Sequence, residues 1–479
     1  MDRRTLLRLA ALGTALSPAR VLAVSSAPSP MMTVLSTYMS AAGTRALPSE
    51  AAAEAKHHLL DTVAAMISGS ALPPGAAALR YVGGYAGKGA ATIAGATLTA
   101  APVDAALANG IMAHADETDD SHNGSRSHPG CAVAPAALAV GEAFGIDGAR
   151  LLRAVTLGYD IGTRVVLAMG GAALSYETSL STHSIAGNFG AAAAAACAAG
   201  LDAQEMRWVL DYAAQQSSGI RAWQRDSDHI EKAFVFAGMP ARNGVTAALV
   251  VRAGWNGVDD IFSGADNFFA AYAPKAEPAR LVEKLGERFA IAETDIKKWS
   301  VGSPIQGPLD AIAVIREKRG FAADEVAQVT VRLAPSVAAV VDNRDIPDIC
   351  LQHMIAVMLI DGTVSFRAAH DKPRMQDSTV LRQRAKVAVV RDDELAKLLP
   401  ARVAVVEIAF ADGTRLAQRV DAVRGTPRNP MSHAEIVDKA RDLIAPVLGR
   451  EAAGRLIEAV DAIEAMPDVR RLGPLLQRR

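Results

Sequence analysis

Between Met32 and Ala270 the apolar residues recur three and four apart almost without interruption, and most of them are alanine or glycine. That period is helical, and side chains this small bring helix axes close together. The segments Ala51 to Ser68, Ala101 to Ala115, Ala132 to Ala143, Ala149 to Val166 and Asn188 to Ala199 each show it. Strand signals are nearly absent there, and only 5% of residues are aromatic while alanine is abundant, which favours closely packed helices over an all-β sandwich. A chain of 479 residues with 50% apolar content buries a large core and exceeds the usual size of one domain. Its net charge of -1 removes the basic field that nucleic-acid binding needs. Cys131, Cys197 and Cys350 stand far apart in apolar contexts and read as small buried hydrophobes, not as a disulfide framework.

The texture changes near Glu277. Val329 to Leu333 alternates with period two, as do parts of Lys386 to Val390 and Arg402 to Phe410, and Asp412-Gly413 predicts a hairpin turn into Thr414 to Val420. Helical stretches at Gly307 to Lys318 and Gln352 to Ile360 separate these strands. Ser432 with Glu435 forms a capping box that opens the last helices, to about Ala465. The expected organisation is mostly α with an α+β domain: a helical domain over 32–276, an α+β domain over 277–425, and C-terminal helices over 426–479 that pack back on the first.

At the N-terminus, Arg3-Arg4 precedes a short apolar run and a small-residue end at Val21-Leu22-Ala23. This is the pattern of a twin-arginine signal peptide over 1–23, and 24–31 reads as a linker. The apolar run is too short for a permanent membrane anchor. A periplasmic location is therefore expected.

The densest polar cluster runs from His114 through Asp116, Glu117, Asp119 and Asp120 to His122, with His128-Pro129-Gly130 close behind. Crowded carboxylates raise one another's pKa and strengthen a nearby histidine as a base, which suits proton transfer. A solvated acidic loop is the plain alternative. A metal site on His114, Asp119, Asp120 and His122, hence a metal-dependent hydrolase, is another, although the spacing fits no zinc motif. Arg221, Arg225, His229 and Arg242 could form an anion site and read better as a solvated face.

The cluster, with His128-Pro-Gly-Cys-Ala-Val-Ala-Pro, resembles the signature of the MmgE/PrpD family, which includes 2-methylcitrate dehydratase, cis-aconitate decarboxylase and iminodisuccinate epimerase. Further resemblances follow in order: Thr182-His183-Ser184 before an alanine helix, Lys232 ahead of Gly238 and Gly244, Lys297-Lys298-Trp299 ahead of Asp310, Leu359 to Gly362, and Gly425-Thr-Pro-Arg-Asn-Pro430. The resemblance implies a homodimer whose active site, free of metal and organic cofactor, lies between a large helical domain and a smaller α/β lid. Its substrates would be small polycarboxylates. It implies catalytic roles for His128, His183, Glu117, Asp120 and His353, and substrate-binding roles for Ser121, Lys232 and Lys297, with Lys298 as a rival for Lys297. Glu117, Ser121 and His353 depart from the residues usual in relatives, and the Lys232 to Gly244 stretch is one residue longer.

The chemistry of these residue types agrees. Removing a proton α to a carboxylate creates an aci-carboxylate, which needs a positioned base and cations facing the new charge. His128 and His183 can supply the first, Lys232 and Lys297 the second. The expected activity is a dehydratase-type lyase acting on a di- or tricarboxylate, with epimerisation, decarboxylation or mere carboxylate binding as the alternatives.

Overall fold

Every residue of the Thr182–Ala199 helix is buried in the computed structural model, which describes residues 27–399 and 401–478. This alanine helix is the axis of the larger domain. It packs against the helices Gly130–Phe144, Gly148–Ala168 and Met239–Arg252. Three glycines on the crossing with Gly148–Ala168 set the distance: a Cβ on Gly162 would lie 2.3 Å from the Ala186 carbonyl oxygen, and one on Gly190 would lie 2.7 Å from that of Gly158. Because both obstacles are backbone, neither can turn aside. Gly162→Ala is therefore expected to cost about 1–3 kcal/mol by overpacking, read as a lower denaturant midpoint at unchanged slope. An unchanged midpoint would show that this crossing has slack.

The helices expected from the apolar spacing form as Ser49–Gly69, Pro102–Ala113, Gly130–Phe144, Gly148–Ala168 and Thr182–Ala199, the second shorter than expected at both ends and the others longer. The last begins six residues before Asn188, so His183 lies inside its first turn. A helix at Pro30–Ala42, N-capped by Ser29, starts within the stretch read as linker. The leader and residues 24–26 lie outside the described residues. Two short strands, Ala91–Thr92 and Thr99–Ala100, pair within the helical region.

The smaller domain has its own core. Its four-stranded sheet runs Val387–Arg391, Val326–Leu333, Ala404–Phe410, Arg415–Val420, with the first pair parallel and the others antiparallel. The Asp412-Gly413 turn closes as the sequence predicts, with Gly413 at φ +86°. Ile305, Leu309 and Ile312 from the Ser303–Lys318 helix pack with Val329, Val331, Val406 and Ile408, and the Leu351–Asp361 helix joins the same core.

Apolar packing divides the chain later than the change of texture at Glu277. Leu281, Ile291 and Ile296 belong to the helical core, and the second core begins at Trp299. Buried Arg164 explains why this irregular segment clings to the helices, since its guanidinium donates to the carbonyls of Glu283 at 2.6 Å and Arg288 at 3.2 Å. The C-terminal helices His433–Leu448 and Arg450–Asp461 return to the helical core through Ile436, Leu443, Leu456 and Val460. The Ser432 and Glu435 capping box is formed. Lys439 reaches inward from that helix to Asp61 at 2.6 Å and to the Thr118 carbonyl at 2.9 Å, which props the polar cluster from beneath.

Candidate active site

The cluster from His114 to His122 is buried throughout, so it is not a solvated acidic loop. It leaves the Pro102–Ala113 helix and enters the Gly130–Phe144 helix, and its residues face different ways. Asp119 is the hub. Its carboxylate accepts from His114 Nδ1 at 2.9 Å, faces His128 Nδ1 at 3.2 Å and stands 3.6 Å from Lys297 Nζ. Burial pushes the Asp119 carboxyl up, but His114, His128 and Lys297 outweigh it and hold the group well below the usual carboxylate range. Glu117 behaves alike: burial opposes ionisation, while Lys232 and Lys297 enforce it. Lys232 pairs with its carboxylate, and Lys297 donates to its carbonyl at 2.8 Å.

Lys297 reaches this place along an irregular segment pinned on both sides. Asp295 exchanges backbone hydrogen bonds with Ser121, at 3.0 and 2.8 Å, and Ile296 donates to Gly425 at 2.9 Å. Gly425 has φ +93°, and a Cβ there would fall 1.8 Å from the Ile296 carbonyl oxygen, so the glycine of the C-terminal motif keeps Lys297 in register. Lys298 points elsewhere and lies over the Trp299 ring at 4.9 Å.

An aromatic stack orders the histidines. The Phe236 ring lies between His183, centroids 3.8 Å apart, and His114, 4.6 Å apart, both nearly parallel to it. His128 and His183 stand 5.2 Å apart. Burial lowers the pKa of His128 against the pull of Asp119, and burial together with the neighbouring cations lowers that of His183 further, so both rings are neutral bases near pH 7. With the Asp119 carboxylate 3.2 Å from Nδ1, the neutral tautomer protonated there is the favoured one, which leaves Nε2 to accept. Phe236 and Lys232 owe their aim to a π-helical turn at Phe234–Gly238, where the Met239 amide donates to the Phe234 carbonyl five residues back. A helix absorbs one extra residue in this way, here between Lys232 and Gly244.

Two adjoining cavities of about 410 and 570 Å³ open along the seam between the domains, and His128, His183, Arg126 and Arg402 line both. Glu117, Lys232, His229 and Trp223 line the first. Ser121 lines the second.

The structure does not bring Asp120 or His353 to these cavities, and Lys297 lines neither of them, standing behind Glu117 and Asp119. Asp120 is consumed by structure: it binds His58 Nδ1 at 2.8 Å, the Tyr159 hydroxyl, and the Gly130 amide at 3.1 Å, which anchors the helix that follows His128. His353 is wholly enclosed in the smaller domain, where burial lowers it to about 4, and it lines neither cavity. The reading of a core histidine on an apolar helix describes it.

The four residues considered for a metal part company. His114 and Asp119 face the hub, Asp120 faces His58, and His122 binds Ser125 Oγ at 2.8 Å. His114, Asp119 and His128 could present three ligand atoms within 4.8 Å of one another. A cation there would sit beside the Lys297 ammonium, so the set fits an imidazole–carboxylate relay better than a metal centre.

His229, read from sequence as part of a solvated face, instead turns inward, 5.2 Å from His114, and burial with Lys232 beside it lowers it to about 3. Arg225 alone of that group is exposed; Arg242 is half-buried against Asn243 and Arg221 is half-buried against the Ser175 carbonyl. A contact that the sequence did not suggest ties the domains together: His370 Nε2 stands 3.0 Å from Asp116, which raises His370 to about 9 against the effect of burial.

A helical domain that carries a buried His–Asp–His relay, closed by a smaller α+β domain bearing its own cations, defines a two-domain protein with its site at the seam. Residues 33–281 match the MmgE/PrpD N-terminal domain and residues 299–465 the MmgE/PrpD C-terminal domain, so the chain belongs to the MmgE/PrpD family. It is similar to the cis-aconitate decarboxylase-like protein oryM of Aspergillus oryzae, 26% identical over 465 residues that cover 90% of this chain and 94% of that protein. It is also similar to the cis-aconitate decarboxylases of Mus musculus, 26% identical with 78% of each chain covered, and of Homo sapiens, 24% identical with 88% and 89% covered.

Proposed function

We propose that the chain is a cofactor-independent lyase of tricarboxylates that moves a proton at the carbon α to a carboxylate. The observation that carries this is the neutral pair His128 and His183, 5.2 Å apart in a cavity walled by cations. In a β,γ-unsaturated tricarboxylate such as cis-aconitate, the bond to the departing carboxylate breaks and its electrons form a new double bond. The old double bond becomes an aci-carboxylate and CO₂ leaves; the negative charge of the bound tricarboxylate draws a solvent proton onto one histidine, and that imidazolium delivers it to the α carbon and returns to the neutral form. The names of the relatives support this outcome. Dehydration passes through an aci-carboxylate of the same kind, with one neutral histidine taking the α proton and the other, protonated when the anionic substrate binds, giving its proton to the departing hydroxyl; the presence of two proton-transfer groups favours this second outcome. Lys232 faces the charge that develops in both.

Lys232→Ala is expected to raise KM and lower kcat together, because an ammonium facing a growing charge stabilises the transition state more than bound substrate. A change confined to thermal stability would make Lys232 structural. The direct assay offers cis-aconitate and hydroxytricarboxylates separately, measuring CO₂, alkene absorbance and deuterium uptake from solvent. If none of the three changes, the lyase reading falls.

A further inference from the structure

The cations assigned so far are occupied. Lys232 is paired with Glu117, and Lys297 is shared between Glu117 and Asp119. A bound tricarboxylate would bring more negative charge than these two can answer. Arg126 and Arg402 are in the opposite state. Both line the two cavities, and among the described residues no carboxylate oxygen lies within 4.0 Å of either guanidinium. Arg126 Nη1 is buried without a hydrogen-bond partner. The acid groups that act on Arg402 from a distance are engaged elsewhere: Asp295 accepts from Asn123 Nδ2 at 2.7 Å, and Glu117 holds Lys232.

The backbone at Arg126 sharpens the point. It has φ +47°, a left-handed conformation that costs a residue with a Cβ about 1–2 kcal/mol and suits glycine. The strain is held in place from several directions. His122 and Ser127 close the loop by mutual backbone hydrogen bonds at 2.8 and 3.2 Å, Thr182 Oγ1 donates to the Arg126 carbonyl at 2.8 Å, and the Ala172 amide donates to the Gly124 carbonyl at 2.9 Å. The guanidinium lies over the Tyr176 ring at 4.2 Å, which fixes its plane and leaves its edge free for a planar anion. A strained, desolvated and unpaired arginine two residues before His128 gains nothing for the fold. It suits a ligand.

We infer that Arg126 and Arg402, one from each domain, clamp the substrate carboxylate furthest from the reacting carbon, so that the site selects tricarboxylates over dicarboxylates. This rests on the lyase reading above and adds to it the residues that count carboxylates. Arg402 comes from the smaller domain, so the clamp is complete only when the seam is closed over the substrate.

Calorimetric titration of the full chain with propane-1,2,3-tricarboxylate and, separately, glutarate tests the clamp without turnover. In Arg126→Gly and Arg402→Gln the tricarboxylate affinity should fall ~10- to 100-fold, the range for charged hydrogen bonds, while glutarate affinity changes little. The thermal midpoint of Arg126→Gly should hold or rise, because glycine accepts the left-handed backbone. Unchanged tricarboxylate affinity in either variant overturns the clamp, as does an Arg126→Gly loss accompanied by a lowered midpoint. A parent chain that binds no tricarboxylate overturns the lyase reading and the clamp together, whereas normal binding by the variants overturns the clamp alone.

Discussion

Replacing His128 with alanine is expected to lower kcat by ~10²- to 10⁴-fold, the usual contribution of a positioned general acid–base group, with the fold intact. His128 is 9% exposed at the cavity wall, and the ring touches the hub through a single 3.2 Å approach, so its loss removes a proton-transfer group without opening the core. The pH profile gives a second reading. Burial holds the parent imidazole below its ordinary value of ~6.5, with Asp119 opposing, so the free enzyme keeps the base neutral into mildly acid solution. The acid limb of kcat/KM, corrected for substrate ionisation, should therefore fall below that value and vanish in the variant. A folded variant with undiminished turnover would remove His128 from the mechanism.

Asp119→Asn should be costly in stability as well as activity. The wild-type carboxylate is fully enclosed and answers two imidazoles and the Lys297 ammonium. An amide of the same shape leaves that ammonium, itself 3% exposed, in a poorly solvating place with the nearer of its two carboxylates neutralised and only Glu117, already paired with Lys232, to answer it. Breaking a buried pair on one side costs about 3–5 kcal/mol. The His128 ring also loses the group that fixes its tautomer, so activity should fall even where the protein remains folded. Equilibrium denaturation and turnover, measured on the same preparation, check both effects. A midpoint near that of the parent would mean that the hub carries no net charge to be balanced.

Much of this architecture is legible in the sequence because periodicity reports on regular elements. Alanines three and four apart mark the buried helices, and alternation at Val329 to Leu333 marks a strand that the sheet contains. The site is legible where ordered motifs carry it, at His128, His183, Lys232 and Lys297. It fails where direction decides. Glu117 faces the cavity and Asp119 the histidines behind its wall, while Asp116 and Asp120 turn to His370 and His58, and an irregular loop has no period from which to read that division. Asp119 was visible only as one acid among four. Arg126 is a single arginine in an irregular loop and Arg402 stands at the head of a stretch read only as a strand, two residues before Ala404–Phe410 begins, and only the closure of one domain on the other brings them to the same walls. The one local signal was a bulky residue where the turn from His122 to Ser127 wants glycine.

The π turn after Lys232 carries a consequence for how such a site can change. Each residue added to an α-helix rotates everything on one side of it by about 100° relative to the other. Met239–Arg252 lies against the alanine helix, where Gly244 approaches Ala192 so closely that a Cβ would meet its amide nitrogen at 2.4 Å, and it tolerates no rotation. The π turn takes up a residue locally, so the short segment that bears Lys232 and His229 keeps its facing towards the cavity. Without that turn, a residue gained here would swing the Lys232 ammonium about 100° around the helix axis and away from Glu117, so the turn shields the charge pattern of the cavity from a change of length.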